Sequence, residues 1–220
     1  MASASKTPTD TSPAKHERRP FKGSCHCGSV QYIAYLNVPY PAPQAGIERL
    51  YRCNCRICHK TGFMHIRLPD VPNDFLLLSP LDPLKELGDY QCVRNKLHFL
   101  FCKTCGVRCL IFMGEGRVSD VSVETDSLDI PLERLTLSDN AKADQKKKLV
   151  KAWHGIPDSE AVNIPDGQYL SVNAHTIDAN QEGFDMRDWV DKKAIEYLDC
   201  LNDEGQDEDR YDRPHAGGCY

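Results

Sequence analysis

The sequence predicts a mainly β fold in which zinc clips strands together, with one α-helix near the C-terminus and disordered ends. Three observations predict it. Short runs rich in β-branched and aromatic residues recur through the first half of the 220-residue chain, broken by Pro and Gly. Seven of the eleven cysteines fall in three tight clusters at the ends of such runs. Helical periodicity is clear only close to the C-terminus.

The elements can be justified in order. Residues 1–19 are rich in Ser, Thr, Pro and charge and read as a disordered tail. Residues 30–36 read as a strand, after which Pro39, Pro41 and Pro43 force a loop. Residues 47–52 form a strand that delivers the second cysteine cluster, and residues 63–68 form another. Residues 75–78 are a short buried strand. Residues 97–101 lead into the third cluster, residues 110–113 leave it, and residues 118–123 alternate as a further strand. The polar, Lys-rich stretch 140–153 is expected to be a short helix or an ordered loop, and residues 168–172 a strand. Residues 185–201 are the strongest helix, with Asp185 as N-cap, Asp188 in the first turn, and Val190, Ala194, Tyr197, Leu198 and Leu201 on one apolar face. Residues 202–220 are acidic and read as a second tail. One folded domain over residues 20–201 is therefore expected, and a 40% hydrophobic composition can fill its core.

Composition also excludes function classes. No apolar run is long enough to cross a bilayer, and the N-terminal residues lack the apolar stretch of a signal peptide. A cytosolic or nuclear location follows as the expectation. Thiols stay reduced there, so an odd number of cysteines argues for metal rather than disulfides. A net charge of −5 gives no general attraction to nucleic acid. The Lys run Lys146-Lys147-Lys148 with Lys151 has no interleaved aromatics and reads as a solvated surface. The apolar stripe of the C-terminal helix is expected to pack on the sheet rather than on a partner.

The clusters are Cys25-His26-Cys27, Cys53-Asn54-Cys55-Arg56-Ile57-Cys58 and Cys102-Lys103-Thr104-Cys105. Zinc takes thiolates readily, four at a closed structural site and three where one position stays open for chemistry. The pairs Cys25/Cys27 and Cys102/Cys105 are expected to make the closed site, with Gly28 and Gly106 forming the tight turns after them. Cys53, Cys55 and Cys58 are left as a three-thiolate site. Spacing alone leaves its fourth position undecided. It is open, or it is closed by His26, His59 or one of Cys92, Cys109, Cys200 and Cys219; Cys109 stands out because it follows Cys105 closely. Arg52, Arg56 and Lys60 surround this cluster and Arg67 follows it, enough to hold a small anionic ligand or merely a solvated charged edge. Cys55-Arg56-Ile57-Cys58-His59 also matches the c-type haem attachment pattern. Haem attachment needs an export compartment and leaves the other clusters unexplained.

Three segments together resemble the glutathione-dependent formaldehyde-activating enzyme family, whose domain is shared with centromere protein V. They are Gly23-Ser24-Cys25-His26-Cys27-Gly28-Ser29-Val30, Cys53-Asn54-Cys55-Arg56-Ile57-Cys58-His59-Lys60-Thr61-Gly62 and Phe101-Cys102-Lys103-Thr104-Cys105-Gly106-Val107. The resemblance covers residues 21–130. It implies a zinc-bound β-tent fold, a structural zinc on Cys25, Cys27, Cys102 and Cys105, and a catalytic zinc on Cys53, Cys55 and Cys58. The activity it implies is that of a carbon–sulfur lyase joining glutathione to formaldehyde, or the reverse. Arg52, Arg56 and Lys60 would then hold glutathione carboxylates, and His59, His65, His98 and Glu124 are candidates for the base. Relative to a minimal member, residues 132–167 are an insertion and the C-terminal helix and tail are additions. Both can reshape the pocket, which points to a larger carbonyl or a glutathione adduct as substrate. The alternatives are a non-catalytic zinc module that binds a macromolecule and a glutathione carrier without turnover.

Overall fold

The structure, a computed structural model, describes residues 17–41, 46–92, 95–124, 130, 135–140, 147–162, 167–201 and 209–218. Residues 1–16 of the first tail, residues 202–208 of the second, Pro43, Lys146 and Cys219 lie outside the described residues. The fold is mainly β, with four short α-helices among the described residues.

Two sheets make the frame. The first orders β1 (Glu17–Ser24), β2 (Gln31–Val38), β5 (Phe75–Ser79), β10 (Lys148–Gly155) and β9 (Gly116–Val123) as β1-β2-β5-β10-β9. The second orders β12 (Glu196–Leu198), β3 (Arg49–Cys53), β4 (His65–Arg67), β11 (Tyr169–Asn173), β8 (Arg108–Met113), β7 (Leu97–Phe101) and β6 (Gly88–Cys92) as β12-β3-β4-β11-β8-β7-β6. All pairings are antiparallel except β12 with β3. The helices are α1 (Arg56–Thr61), α2 (Val71–Asp74), α3 (Pro83–Glu86) and α4 (Met186–Asp191).

Alternation along the strands distributes side chains into three layers. The main core lies between the sheets, with Phe21, Tyr32, Phe75, Leu77 and Trp153 from the first meeting Leu50, Ile66, Leu110, Phe112 and Val172 from the second. Phe112 and Phe75 each meet the Trp153 ring edge-on. The outer face of the first sheet buries Ile33, Leu76, Leu78, Val150 and Ala152 beneath Ile130 and Leu135. The outer face of the second sheet carries a third cluster of Tyr51, Cys53, Cys58, Phe63, Phe99 and Ile111. The second cysteine cluster belongs to that outer layer.

Three expectations change. The stretch 140–153 does not end as helix or loop: Lys148–Gly155 is a strand inside the first sheet, paired along its length with β9. Its lysines hide an alternation that sends Val150 and Ala152 to one face and Trp153 to the other. The helix expected over 185–201 is present only as α4. Asp185 does cap it, accepting from Arg187 N at 2.9 Å, but Lys193 sits at φ 50° and turns the chain out. Its buried anchor is Trp189, packed edge-on against Phe184, whereas Val190 is 61% exposed and no apolar stripe forms. Glu196–Leu198 instead pairs parallel with β3, where Glu196 chelates Arg49 through two bonds of 2.5 Å. Finally, part of each expected tail joins the fold. Residues 17–19 begin β1, and residues 209–218 dock on β12, with Tyr197 N donating to Arg210 O at 2.7 Å.

Candidate metal centres

The first cysteine group joins the two sheets. Cys25 and Cys27 sit in the turn between β1 and β2, and Cys102 and Cys105 in the turn between β7 and β8. The two turns are built alike. Gly28 N donates to Cys25 O at 2.9 Å with Gly28 at φ 73°, and Gly106 N donates to Cys102 O at 2.9 Å with Gly106 at φ 75°. These positive φ values are what glycine supplies without a Cβ clash. Val30 N points at Cys25 Sγ, 3.2 Å away, so the backbone already favours a thiolate there.

The four sulfurs of this group lie within 4.8 Å of one another. Cys27 Sγ is 3.6 Å from Cys25 Sγ and 3.5 Å from Cys102 Sγ. Zinc–sulfur bonds of about 2.3 Å arranged tetrahedrally put sulfurs about 3.8 Å apart, so the group fits one tetrahedral ion of that size. Burial pushes the Cys25 thiol up to about 12, while the Ser29 hydroxyl and backbone pull half-buried Cys27 down to about 6. Cys109, the sequence-level candidate beside Cys105, is fully buried in the main core and belongs to neither group.

The second group is local. Cys53 ends β3, Cys55 caps α1, and Cys58 lies in the first turn of α1 facing inward. Their three sulfurs also lie within 4.8 Å of one another, with Cys53 donating to Cys55 at 3.2 Å. The thiols from Cys53 and Cys58 hold Cys55 far below the ordinary thiol value. The group can hold a metal ion with three thiolates, which leaves one tetrahedral position unassigned by these residues.

Around this group the structure sorts the sequence candidates. His65 is the histidine at the cluster: its Nε2 is 3.2 Å from Cys58 Sγ, and its ring stacks on Tyr51 at 4.2 Å. Its Nδ1 faces Ser171 Oγ at 3.0 Å and Tyr169 OH at 3.2 Å, and Tyr169 bonds in turn to Tyr51 OH. Burial lowers His65 to about 3, against the opposing pull of Cys55. His59 faces Gly218 O at 3.1 Å, His98 pairs with Asp89 at 2.8 Å, and Glu124 pairs with Lys147 at 3.1 Å. His26 is exposed and outside both groups. Lys151 likewise has an acidic partner, Asp139 at 3.2 Å, so the Lys run is no bare cationic face.

The basic residues separate. Arg56 and Lys60, one turn apart on α1, line a groove of about 520 Å³ with Ile57, Thr61, Tyr90 and Arg108. Arg52 alternates to the other face of β3, where its guanidinium lies 3.8 Å from Met64 Sδ. Arg67 lies over the Tyr169 ring and lines a different cavity with Arg49, Glu48 and Glu196. Sequence reasoning missed Arg108. Its guanidinium sits over Phe99 and Phe101, and its buried Nη1 has no hydrogen-bond partner. Nothing local to residue 108 signals this, because its neighbours on α1 are about fifty positions away in sequence.

The fold and sites therefore define a mainly β protein with two cysteine-rich groups able to hold metal ions. No helix among the described residues is long and apolar enough to cross a membrane. No family model matches the chain, and no curated protein matches it. It is similar to the crystal structure of a Rhodobacter sphaeroides protein solved as a structural genomics target. That likeness runs at 18% identity with a TM-score of 0.36, covering 76% of this chain and 93% of that one. A similarity of that size determines neither fold nor function.

Proposed function

We propose that the protein is a zinc-dependent carbon–sulfur lyase acting on glutathione adducts of formaldehyde or of a larger carbonyl compound, a member of the family its cysteine segments resemble. The observation that carries the reading is the contrast between the groups: four thiolates across two sheets in one, three on a single short segment in the other. None of the ten described cysteines is in a disulfide, in keeping with a reducing compartment and thiolate ligation. A zinc ion on Cys53, Cys55 and Cys58 would favour the thiolate form of a fourth sulfur near neutral pH.

The chain's own residues supply the rest. Arg56, Lys60 and Arg108 line the groove beside α1 without a carboxylate and suit the carboxylates of glutathione. Ile57 and Tyr90 give it apolar walls. In the cleaving direction the adduct's C–S bond breaks with its electron pair going to sulfur. The hydroxyl loses its proton as the carbonyl forms. His65 has both ring nitrogens engaged, by Cys58 and by Ser171 and Tyr169, so it holds Cys58 in place, and bulk solvent would take the proton.

The test is exchange NMR of the glutathione–formaldehyde equilibrium with and without zinc-loaded protein. Wild type should accelerate it and Cys55→Ser should not; equal rates with wild type and with no protein would sink the lyase reading. Docking of residues 209–218 beside the second group favours a second reading, a non-catalytic zinc module, which that last outcome would support.

A further inference from the structure

We propose that Cys200 is the fourth thiolate of the second cysteine group, held over it by a C-terminal strap and exchangeable for an incoming thiol. The parallel pairing of β12 with β3 sets Leu198 opposite Cys53, so the residues after β12 run past the end of β3, where the chain turns into Asn54 and Cys55. Asn54 grips them there. Its backbone N donates to Leu198 O at 3.2 Å, and its side-chain oxygen accepts from Cys200 N at 2.6 Å and Leu201 N at 3.1 Å. Its amide nitrogen donates to Asp199 Oδ1 at 2.7 Å. The Cys53 thiol donates to the Cys200 sulfur.

A second layer holds the strap down. His215 Nε2 meets Tyr197 O at 3.1 Å, and Gly218 O meets His59 Nδ1 at 3.1 Å. The strap is thus tied to Asn54, between Cys53 and Cys55, and to His59, which follows Cys58. A buried Asn between metal-ligating cysteines has no part in coordination; clamping a fourth sulfur beside them gives it one.

The same geometry makes Cys200 the sulfur that leaves. Cys53 and Cys58 are buried and Cys55 half-buried, whereas Cys200 is exposed. Its sulfur reaches Cys53 but lies outside the set of three that are mutually within 4.8 Å. An incoming thiol approaching from solvent therefore meets Cys200 first. Exchange needs no oxidant: one thiolate replaces another, and the proton of the incoming thiol passes to the Cys200 sulfur. That the physiological thiol is glutathione rests on the lyase reading; that Cys200 is a ligand does not.

Cobalt(II) in place of the native ion tests this on the full chain, since its sulfur charge-transfer absorption follows the number of thiolates. With eight thiolates across both groups, Cys200→Ser should lower that absorption by about one eighth, and glutathione should restore it. Cys92→Ser, which removes a nearby cysteine of the same outer layer, should leave the spectrum unchanged. In wild type, 2-mercaptoethanol or glutathione should speed alkylation of Cys200 by iodoacetamide at constant absorption. A Cys200→Ser spectrum identical to wild type would overturn the assignment of Cys200 as a ligand. A lowered spectrum with alkylation indifferent to either thiol would overturn exchange. Response to 2-mercaptoethanol but not to glutathione would uphold this proposal and count against the lyase reading alone.

Discussion

Replacing Asn54 with Ala should release the C-terminal strap while leaving both sheets intact. Asn54 is 2% exposed and makes three side-chain hydrogen bonds to residues 199–201, at 2.6, 2.7 and 3.1 Å. An intramolecular hydrogen bond contributes about 1 kcal/mol net, and more to a carboxylate such as that of Asp199, so the three together are worth at least about 3 kcal/mol. Cys200 and Leu201 are exposed, and water can replace the lost acceptor at their amides, which reduces the local loss to about 2 kcal/mol. That raises the released population about thirtyfold. Hydrogen exchange at the amides of Cys200 and Leu201, read beside the urea midpoint and the metal content, measures it directly. Faster exchange confined to the strap is the expected result. Unchanged exchange at those two amides with a lowered midpoint would mean that Asn54 supports the sheet rather than the strap, and the reasoning would fail.

Cys102→Ser should release one metal equivalent and lower the thermal midpoint steeply, because the first group ties the β1–β2 turn to the β7–β8 turn across the two sheets. Cys55→Ser should also release one equivalent yet keep the circular dichroism of the fold, because its group sits on one segment; equal destabilisation by the two variants would contradict this assignment. Gly23→Ala should destabilise by about 1–3 kcal/mol in urea unfolding, since a Cβ there would lie 2.2 Å from the ring of Tyr32, which is buried and tied to Thr176 at 2.8 Å. Burial holds the Glu48 carboxyl above its usual value of 4.5, with the Asn37 bonds pulling the other way. The folded chain therefore binds a proton that the unfolded chain gives up, so this contribution to stability is full below pH 4.5 and lost as pH rises through the folded value. Glu48→Gln should flatten that fall in a pH series of urea midpoints, and an unchanged slope would mean that Glu48 titrates as an exposed carboxylate.

Much of the site was legible because its information is local. The ligands of each cluster are at most five residues apart, and chemistry restricts what adjacent thiols in a reducing compartment can do, so spacing alone separated Cys25, Cys27, Cys102 and Cys105 from Cys53, Cys55 and Cys58. Strands such as Gln31–Val38 and Leu97–Phe101 announced themselves by residue type, since β-branched and aromatic side chains fit a pleated, half-buried surface. The strand Lys148–Gly155 did not, because lysines on a strand in the sheet's interior break the apolar run while its alternating residues still find two cores.

What only the tertiary structure decided lies at long range. Residues 196–198 carry a helical pattern, yet pairing with β3 and the Arg49–Glu196 ion pair outweigh a propensity difference of less than about 1 kcal/mol per residue. Which of the four base candidates lies at the second group was likewise a matter of folding: His65 is buried against Cys58 and held there by Ser171 and Tyr169. Arg108 and Cys200 reach the second group from about fifty and about one hundred and forty-five positions away. Sequence spacing therefore specified which residues can hold metal, because the ligands within each cluster are neighbours along the chain, while folding brought the Cys25/Cys27 and Cys102/Cys105 pairs together. Chain folding specified what stands around the second cysteine group, because the strap, the cationic groove and the buried histidine meet there only after two sheets have formed.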